Sequence, residues 1–459
     1  MTKMFANKDK KIKEVEEESK QAKLQLNEIM KVMKTKLDLW TQLMSQMESQ
    51  TEVGSGSGTG MGEAACRKVF LTSRTKCSIA SSMILNETYA SSGAKVIYSV
   101  ASGLGHHWEP HRECRRRVTC ILDCLEVANL TPKLQGSEII QLDNIRTATM
   151  EDITSVHSRS YVSNLEKIME ELDASGEGIL PFDSIGSTYV TTKTLQSSFV
   201  AAGAGLSVVD SVVAASKVSE NPPIGFALIR PPGNHASPYK KVPMGSCVFN
   251  NIAIAARYTQ RVHGLKRVFI IDTDVHHGNG TNDAFHDDPD VFFLSVHQDG
   301  LYPHNTGKVD DLGHGNGEGA TLNLALPKLT GDVAMRNVFD EVIVPAAQKF
   351  KPDIILVSAG YDGHVLDPHG RFQLTTGGYY TLTSNIKQLA KDVCGGRCVF
   401  FLEGGSNLTT LANSVVESFR AFVGEPSAPP DFKYNFFLVE EPSLKVKEVI
   451  QKIKHLHSL

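Results

Sequence analysis

Val268-Phe-Ile-Ile-Asp272-Thr-Asp274-Val-His276-His277-Gly-Asn279-Gly280 opens as a buried-type strand and closes in carboxylates and imidazoles. An unbroken apolar run of this kind suits a strand covered on both faces, as in a parallel sheet. Strand side chains repeat every two residues, so Asp274 and His276 point the same way. Oxygen and nitrogen donors at that spacing suit a borderline divalent ion such as zinc. A catalytic zinc needs a third protein ligand and an open position. The obvious donor is Asp362, which follows a second buried strand, Asp353-Ile-Ile-Leu-Val-Ser-Ala-Gly-Tyr361.

The chain has 459 residues, enough for one large α/β domain with appendages or two ordinary domains. Hydrophobic content of 41% and charged content of 21% are those of a soluble globular protein. A net charge of -4 gives no reason to expect direct contact with nucleic acid. No uninterrupted apolar run approaches the ~18 residues of a membrane span, so no membrane partner is expected. The cysteines are scattered, and Cys247 and Cys398 lie in or beside apolar runs. Reduced, buried thiols in an intracellular protein are the expectation. Cys394-Gly-Gly-Arg-Cys398 has no second cysteine pair to complete a metal site.

Residues 1–50 form a separate object. Heptad a positions at Ile12, Ser19, Leu26, Met33, Trp40 and Met47 pair with d positions at Val15, Ala22, Ile29, Lys36 and Leu43. All are apolar except Ser19 and Lys36, and the flanks carry Lys, Glu and Gln. That is a coiled-coil seam, for self-association or a partner helix. A lone amphipathic helix docked on the body of the protein is the alternative. A flexible linker follows, Gly54-Ser-Gly-Ser-Gly-Thr-Gly60. Residues 61–83 are basic, rich in Ser and small residues, and resemble an organellar transit peptide. Either this is a linker, or Met61 is a second start. A start at Met61 implies a chloroplast or mitochondrion; otherwise the cytoplasm or nucleus is expected.

From about residue 94 the pattern is α/β. Strands are predicted over 95–100, 225–229, 268–271, 291–295, 354–358 and 398–402, with amphipathic helices over 199–217, 248–263, 332–350 and 377–393. Buried strands alternating with helices argue a mostly parallel sheet sandwiched by helices. The informative polar residues sit just after strands, at His235, Asp272, Asp274, His276, Ser295, Asp362 and 403–407. Ligands of open α/β sheets bind outside the carboxyl ends of the strands, so these segments converge on one site. The expected division is a helix over 1–50, a linker over 51–93, a domain over 94–425 and a docked helix within 426–459.

Five motifs then stand in order: Arg230-Pro-Pro-Gly-Asn-His235-Ala, Asp272-Thr-Asp-Val-His-His-Gly-Asn-Gly280, Ser358-Ala-Gly-Tyr-Asp362, Leu374-Thr-Thr-Gly-Gly-Tyr379 and Leu402-Glu-Gly-Gly-Ser-Asn-Leu408. Together they resemble the zinc-dependent histone deacetylase family, arginase-like in fold, from about residue 94 to 425. The nearest likeness is to the class II-like branch with its plant organellar members. The resemblance implies Zn2+ held by Asp274, His276 and Asp362. It also implies a structural cation, K+, held by Asp272, Ser295 and the carbonyls of Asp274 and His276. The implied reaction is hydrolysis of an acetylated protein or a small acylated amine. His235 would act as general base, oriented by Asn279.

The departures are specific. Asn234 stands where the family has the first histidine of a tandem pair, and Ser406 stands where it has the oxyanion-stabilising tyrosine. Ser246, after Gly245, replaces the aromatic that lines the acyl-lysine tunnel. The loop Tyr302-Pro-His-Asn-Thr-Gly307 carries one extra residue beside the remaining tunnel residue, Tyr302, and Pro110-His-Arg-Glu113 departs from Ser-His-Pro-Glu. His277, His297 and His364 read as supporting residues. Two readings follow. One is a weak or altered zinc amidohydrolase. The other is a catalytically silent pseudoenzyme that binds zinc and acts as a scaffold.

Overall fold

The computed structural model describes residues 93–182, 187–429 and 437–459. The heptad seam over residues 1–50 and the basic segment 61–83 lie outside the described residues.

One sheet contains β1 Val96–Ala101, β2 Ile139–Gln141, β5 Ile224–Ile229, β6 Val268–Asp272, β7 Val291–Gln298, β8 Thr321–Leu326, β9 Ile354–Ala359 and β10 Cys398–Leu402. Its order is β2-β1-β5-β10-β9-β6-β7-β8, and every neighbouring pair is parallel. β3 Ile179–Pro181 and β4 Tyr189–Thr191 pair separately and antiparallel. The expected α/β architecture stands, with the sheet wholly parallel. β2 and β8 were not among the expected strands. β2 is very short, and β8 reads Thr-Leu-Asn-Leu-Ala-Leu, an alternation that imitates a half-exposed strand although all of it is buried.

Helices cover both faces: α1 Arg116–Val127, α2 Thr194–Ser216, α3 Asn251–His263, α4 Thr376–Cys394, α5 Leu408–Val423 and α6 Ser443–His457. Alternate residues of each strand serve opposite layers. Tyr98, Phe226, Phe269, Ile271 and Phe400 pack with α1, α4, α5 and α6. Ile97, Ala227, Ile229, Ile270 and Phe401 pack with α2 and α3. Complete burial of one such phenylalanine contributes about 2 kcal/mol.

α2 is long and apolar enough to cross a membrane by length and composition, with a mean hydropathy of 1.7 over a window that is 72% buried. It lies against β1 and β5, so it is a core helix. The segment 332–350, expected as one helix, is interrupted. Helical Asp332–Val338 widens into a π turn at Phe339–Ile343 before Val344–Phe350 resumes. Pro345 has no N–H to return to Glu341, and the wider turn absorbs that gap. α6 buries Val446, Ile450, Ile453 and His457, while Leu444 is 78% exposed and takes no part in the contact.

All cysteines among the described residues are free. Cys394 and Cys398 are buried, and the Cys394 thiol donates to the Ala390 carbonyl at 3.2 Å.

Candidate functional site

The carboxyl ends of β5, β10, β9 and β6 lie side by side. The segments that leave them line a cavity of about 360 Å³ containing Asn234, His235, Asp274, His276, Asp362, Glu403 and Ser406. Gly245, Ser246 and Tyr302 line it as well. Asp272 ends β6 level with Ser295 on β7 and Ser358 on β9, fully buried beneath the cavity.

Three donors meet at one point. His276 Nδ1 lies 3.0 Å from Asp274 Oδ1 and 3.1 Å from Asp362 Oδ2. The remaining oxygens are committed: Asp362 Oδ1 accepts Val275 N–H at 2.9 Å, and Asp274 Oδ2 accepts Gly404 N–H at 2.9 Å. Gly404 is required there, because a Cβ would overlap both carboxylates. Burial, then the neighbouring Asp274, pushes Asp362 up to about 7, and burial raises Glu403 to about 8. Although burial opposes it, His276 is raised to about 10 by the two carboxylates it faces. So much negative charge in a dry site calls for a cation.

A different triad is also close. Donors of His235, Asp274 and His276 lie within 4.8 Å of one another. Asp274, His276 and Asp362 make the shorter contacts, while one nitrogen of His235 is engaged elsewhere. Its Nδ1 lies 2.9 Å from Asn279 Oδ1, which leaves Nε2 facing the cavity. Burial lowers His235 to about 4, so its ring is neutral at neutral pH. Gly245 permits the close packing, since a Cβ there would sit 2.5 Å from the His235 ring.

Asn234 is turned toward the protein. Its amide donates to Asp272 Oδ2 at 3.2 Å, and its Oδ1 accepts from the Cys247 thiol at 3.7 Å. The backbone N–H groups of Gly233 and Asn234 donate to Glu403 Oε2 at 2.7 and 3.2 Å. Ser406 is placed through its backbone: Ser406 and Asn407 N–H groups donate to Asp367 Oδ2 at 2.7 and 3.0 Å. Asn407 then caps α5 by accepting from Thr410 N–H. Arg117, from α1, donates to the Gly405 carbonyl at 2.8 Å and to the Glu403 carbonyl.

On the cavity wall, Ser246 Oγ donates to the Ser187 carbonyl at 2.8 Å. The Tyr302 ring meets His235 edge-on, with centroids 5.3 Å apart. The loop bearing Tyr302 is pinned by His277 Nδ1, 3.0 Å from Thr306 Oγ1, and by His297 Nε2, 2.9 Å from the Gly307 carbonyl. His297 Nδ1 in turn meets Ser295 Oγ at 2.9 Å.

Sequence reasoning quoted Glu403 without a role, although its place one residue past β10 mirrors that of Asp272 at the end of β6. Arg117 and Asp367 were missed. A buried arginine on a helix has no periodic signature, and Asp367 is visible only as an Asp-Pro turn.

Residues 111–422 match the histone deacetylase domain. The chain is 60% identical over 366 residues to histone deacetylase 14, chloroplastic, of Arabidopsis thaliana, covering 80% of this chain and 85% of that protein. It is 57% identical over 366 residues to histone deacetylase 10, chloroplastic, of Oryza sativa subsp. japonica, covering 80% and 82%. The crystal structure of the HDA15 HD domain superposes with a TM-score of 0.67 at 29% identity, covering 80% of this chain and 94% of that one. Matched along most of its length by sequence and by fold, the chain belongs to the histone deacetylase family.

Proposed function

We propose that the cavity binds zinc through Asp274, His276 and Asp362 and hydrolyses acyl amides slowly. The carrying observation is the His276 nitrogen held 3.0 and 3.1 Å from two carboxylates, beside the neutral ring of His235. Zinc in that site would polarise an amide carbonyl and acidify a water. His235 Nε2 would take the water's proton, while Asn279 Oδ1 accepts the Nδ1 proton and fixes the tautomer. Asn234 cannot titrate, so no proton passes through that position. Ser406 is several ångströms shorter than tyrosine. The loss of one oxyanion donor costs roughly 10²–10³ in rate, about 3–4 kcal/mol. Asp272, Ser295 and the carbonyls of Asp274 and His276 are the proposed holders of K+.

The substrate class is an acetylated lysine or a small acylated amine, with Ser246 leaving one side of the tunnel wider. The chloroplastic names of the two plant relatives support an organellar destination. The second reading, a silent zinc-binding scaffold, is favoured by one observation: both ends of the Asn234 amide are spent on the protein.

The test is turnover of acetyl-lysine and trifluoroacetyl-lysine peptides by the zinc-supplemented full chain, with Asp274→Ala as blank. The trifluoroacetyl carbonyl needs less help from the missing tyrosine. Turnover of the activated substrate alone supports the slow hydrolase. Turnover of neither, with zinc bound, leaves the scaffold.

A further inference from the structure

Charge is unevenly distributed along the cavity wall. At its floor, Asp274 and Asp362 would balance a divalent metal. Glu113, buried to 5% exposure, is shared among three groups: Arg230 Nη2 at 2.8 Å, His106 Nε2 at 3.4 Å and Arg117 Nη1 at 3.6 Å. One carboxylate therefore faces two guanidinium groups. The remaining wall carboxylate, Glu403, is occupied by the Gly233 and Asn234 backbone N–H groups.

The mouth is basic. Arg112 is exposed, lines the cavity, and points Nη1 at His369 Nδ1, 3.1 Å away. His369 and His304 line the same opening. Among the described residues no carboxylate lies within ion-pairing distance of Arg112. Two acidic residues, one near Arg112 in sequence and one bonded to the His369 backbone, are spent elsewhere. Glu109 pairs with His107 at 2.8 Å, and Asp367 accepts the backbone N–H groups of Ser406, Asn407 and His369. A guanidinium that meets an imidazole through one nitrogen retains its other forked donors for a carboxylate.

In amide hydrolysis at the metal the acyl group lies inward, and the amine portion of the substrate runs out past the mouth. We infer that the cavity selects acylated amines carrying a carboxylate at the end remote from the acyl group, with Arg112 as the residue that reads it. The inference rests on the metal-centre reading above. It excludes acylated polycations, whose outer ammonium groups would meet Arg112. The carboxylate belongs either to a small acylated amino acid or to an acidic side chain flanking an acyl-lysine.

Hydroxamate binding tests this without turnover. The zinc-loaded full chain is titrated calorimetrically with suberic acid monohydroxamate and with its methyl ester. The acid should bind about fivefold more tightly, and rising salt should erase the difference. Arg112→Gln should abolish the preference, and Arg112→Glu should invert it. Both variants lie on an exposed position, and unchanged binding of the ester reports an intact fold and metal site. A second pair, peptides bearing the same hydroxamate side chain flanked by aspartates or by glycines, separates the two sources. Preference in either pair supports the inference and names the source. Equal binding within both pairs, or a preference that survives Arg112→Gln, overturns it while leaving the metal centre intact. Failure of every hydroxamate to bind overturns the metal-centre reading and this inference with it.

Discussion

The Asn234 side-chain amide donates to Asp272 Oδ2 across 3.2 Å, beside a cavity that Asn234 also lines. Asp272 is fully buried, and its other oxygen accepts the Asp274 N–H at 3.0 Å. Among the described residues, Asn234 thus supplies the one side-chain donor to the Asp272 carboxylate. An asparagine keeps that hydrogen bond and surrenders proton transfer, so structure and chemistry separate at this residue.

Asn234→His should preserve the bond to Asp272 through one ring nitrogen and present the other to the cavity. Ser406→Tyr should return a hydroxyl to the oxyanion position. We expect the second change alone to raise acetyl-lysine turnover by about 10²–10³, and the pair to exceed either single variant. Steady-state hydrolysis of an acetyl-lysine peptide, with zinc content checked, is the measurement. A double variant that binds zinc and gains nothing would sink the slow-hydrolase reading.

Gly404→Ala examines the metal centre from the backbone side. The added methyl would overlap Asp274 Oδ2 and Asp362 Oδ2, so two of the proposed ligands must move. Displacement of even one ligand should weaken zinc binding by about 10²-fold or more, comparable with losing a ligand's orienting partner. Zinc stoichiometry after dialysis against a weak chelator should drop, while the circular dichroism spectrum is retained. Full zinc retention would show that the ligands lie elsewhere.

The central strands were legible because each is a short apolar run ending in polar residues, and β10 Cys398–Leu402 coincides with its predicted span. The pairing of Asp274 with His276 was legible for a related reason: both follow a strand at a spacing of two. The supporting residues were hidden. Glu113 meets Arg230 across 117 positions of sequence, and Arg117 meets Gly405 across 288. Contacts that distant leave no local pattern. The π turn at Phe339–Ile343 was missed because Pro345 sits in an otherwise helical periodicity.

Acid should destabilise the protein through histidines buried neutral. His157 is the clearest case. Burial lowers it to about 3, and its Nε2 accepts the Asn250 N–H at 2.9 Å, which a protonated ring could not do. The folded value lies below the unfolded value of about 6.5. Its contribution is therefore intact above that pH and is lost as pH falls from about 6.5 toward 3. By pH 5 this one residue should cost about 2 kcal/mol. Urea midpoints of His157→Gln against pH should fall less steeply between 6.5 and 5 than those of the parent. Equal slopes would remove His157 from the account.

Asp367 should matter to folding more than to metal binding. Its Oδ2 accepts from Ser406 and Asn407 and its Oδ1 accepts from His369, so one carboxylate ties the β10–α5 loop to the segment after β9. Asp367→Asn keeps the volume but replaces one acceptor oxygen with a donor NH2 and removes the charge. At least one part-buried backbone N–H then faces an amide donor. The expected loss is about 2–3 kcal/mol, from weaker charge-assisted bonds plus an unsatisfied donor. Zinc affinity should change by less than tenfold, because Asp274, His276 and Asp362 keep their own partners. Paired urea denaturation and zinc titration decide it. An unchanged midpoint would show that the loop is held by the Asn407 cap and Arg117 alone, and a collapse of zinc binding would place Asp367 in the metal site's own support.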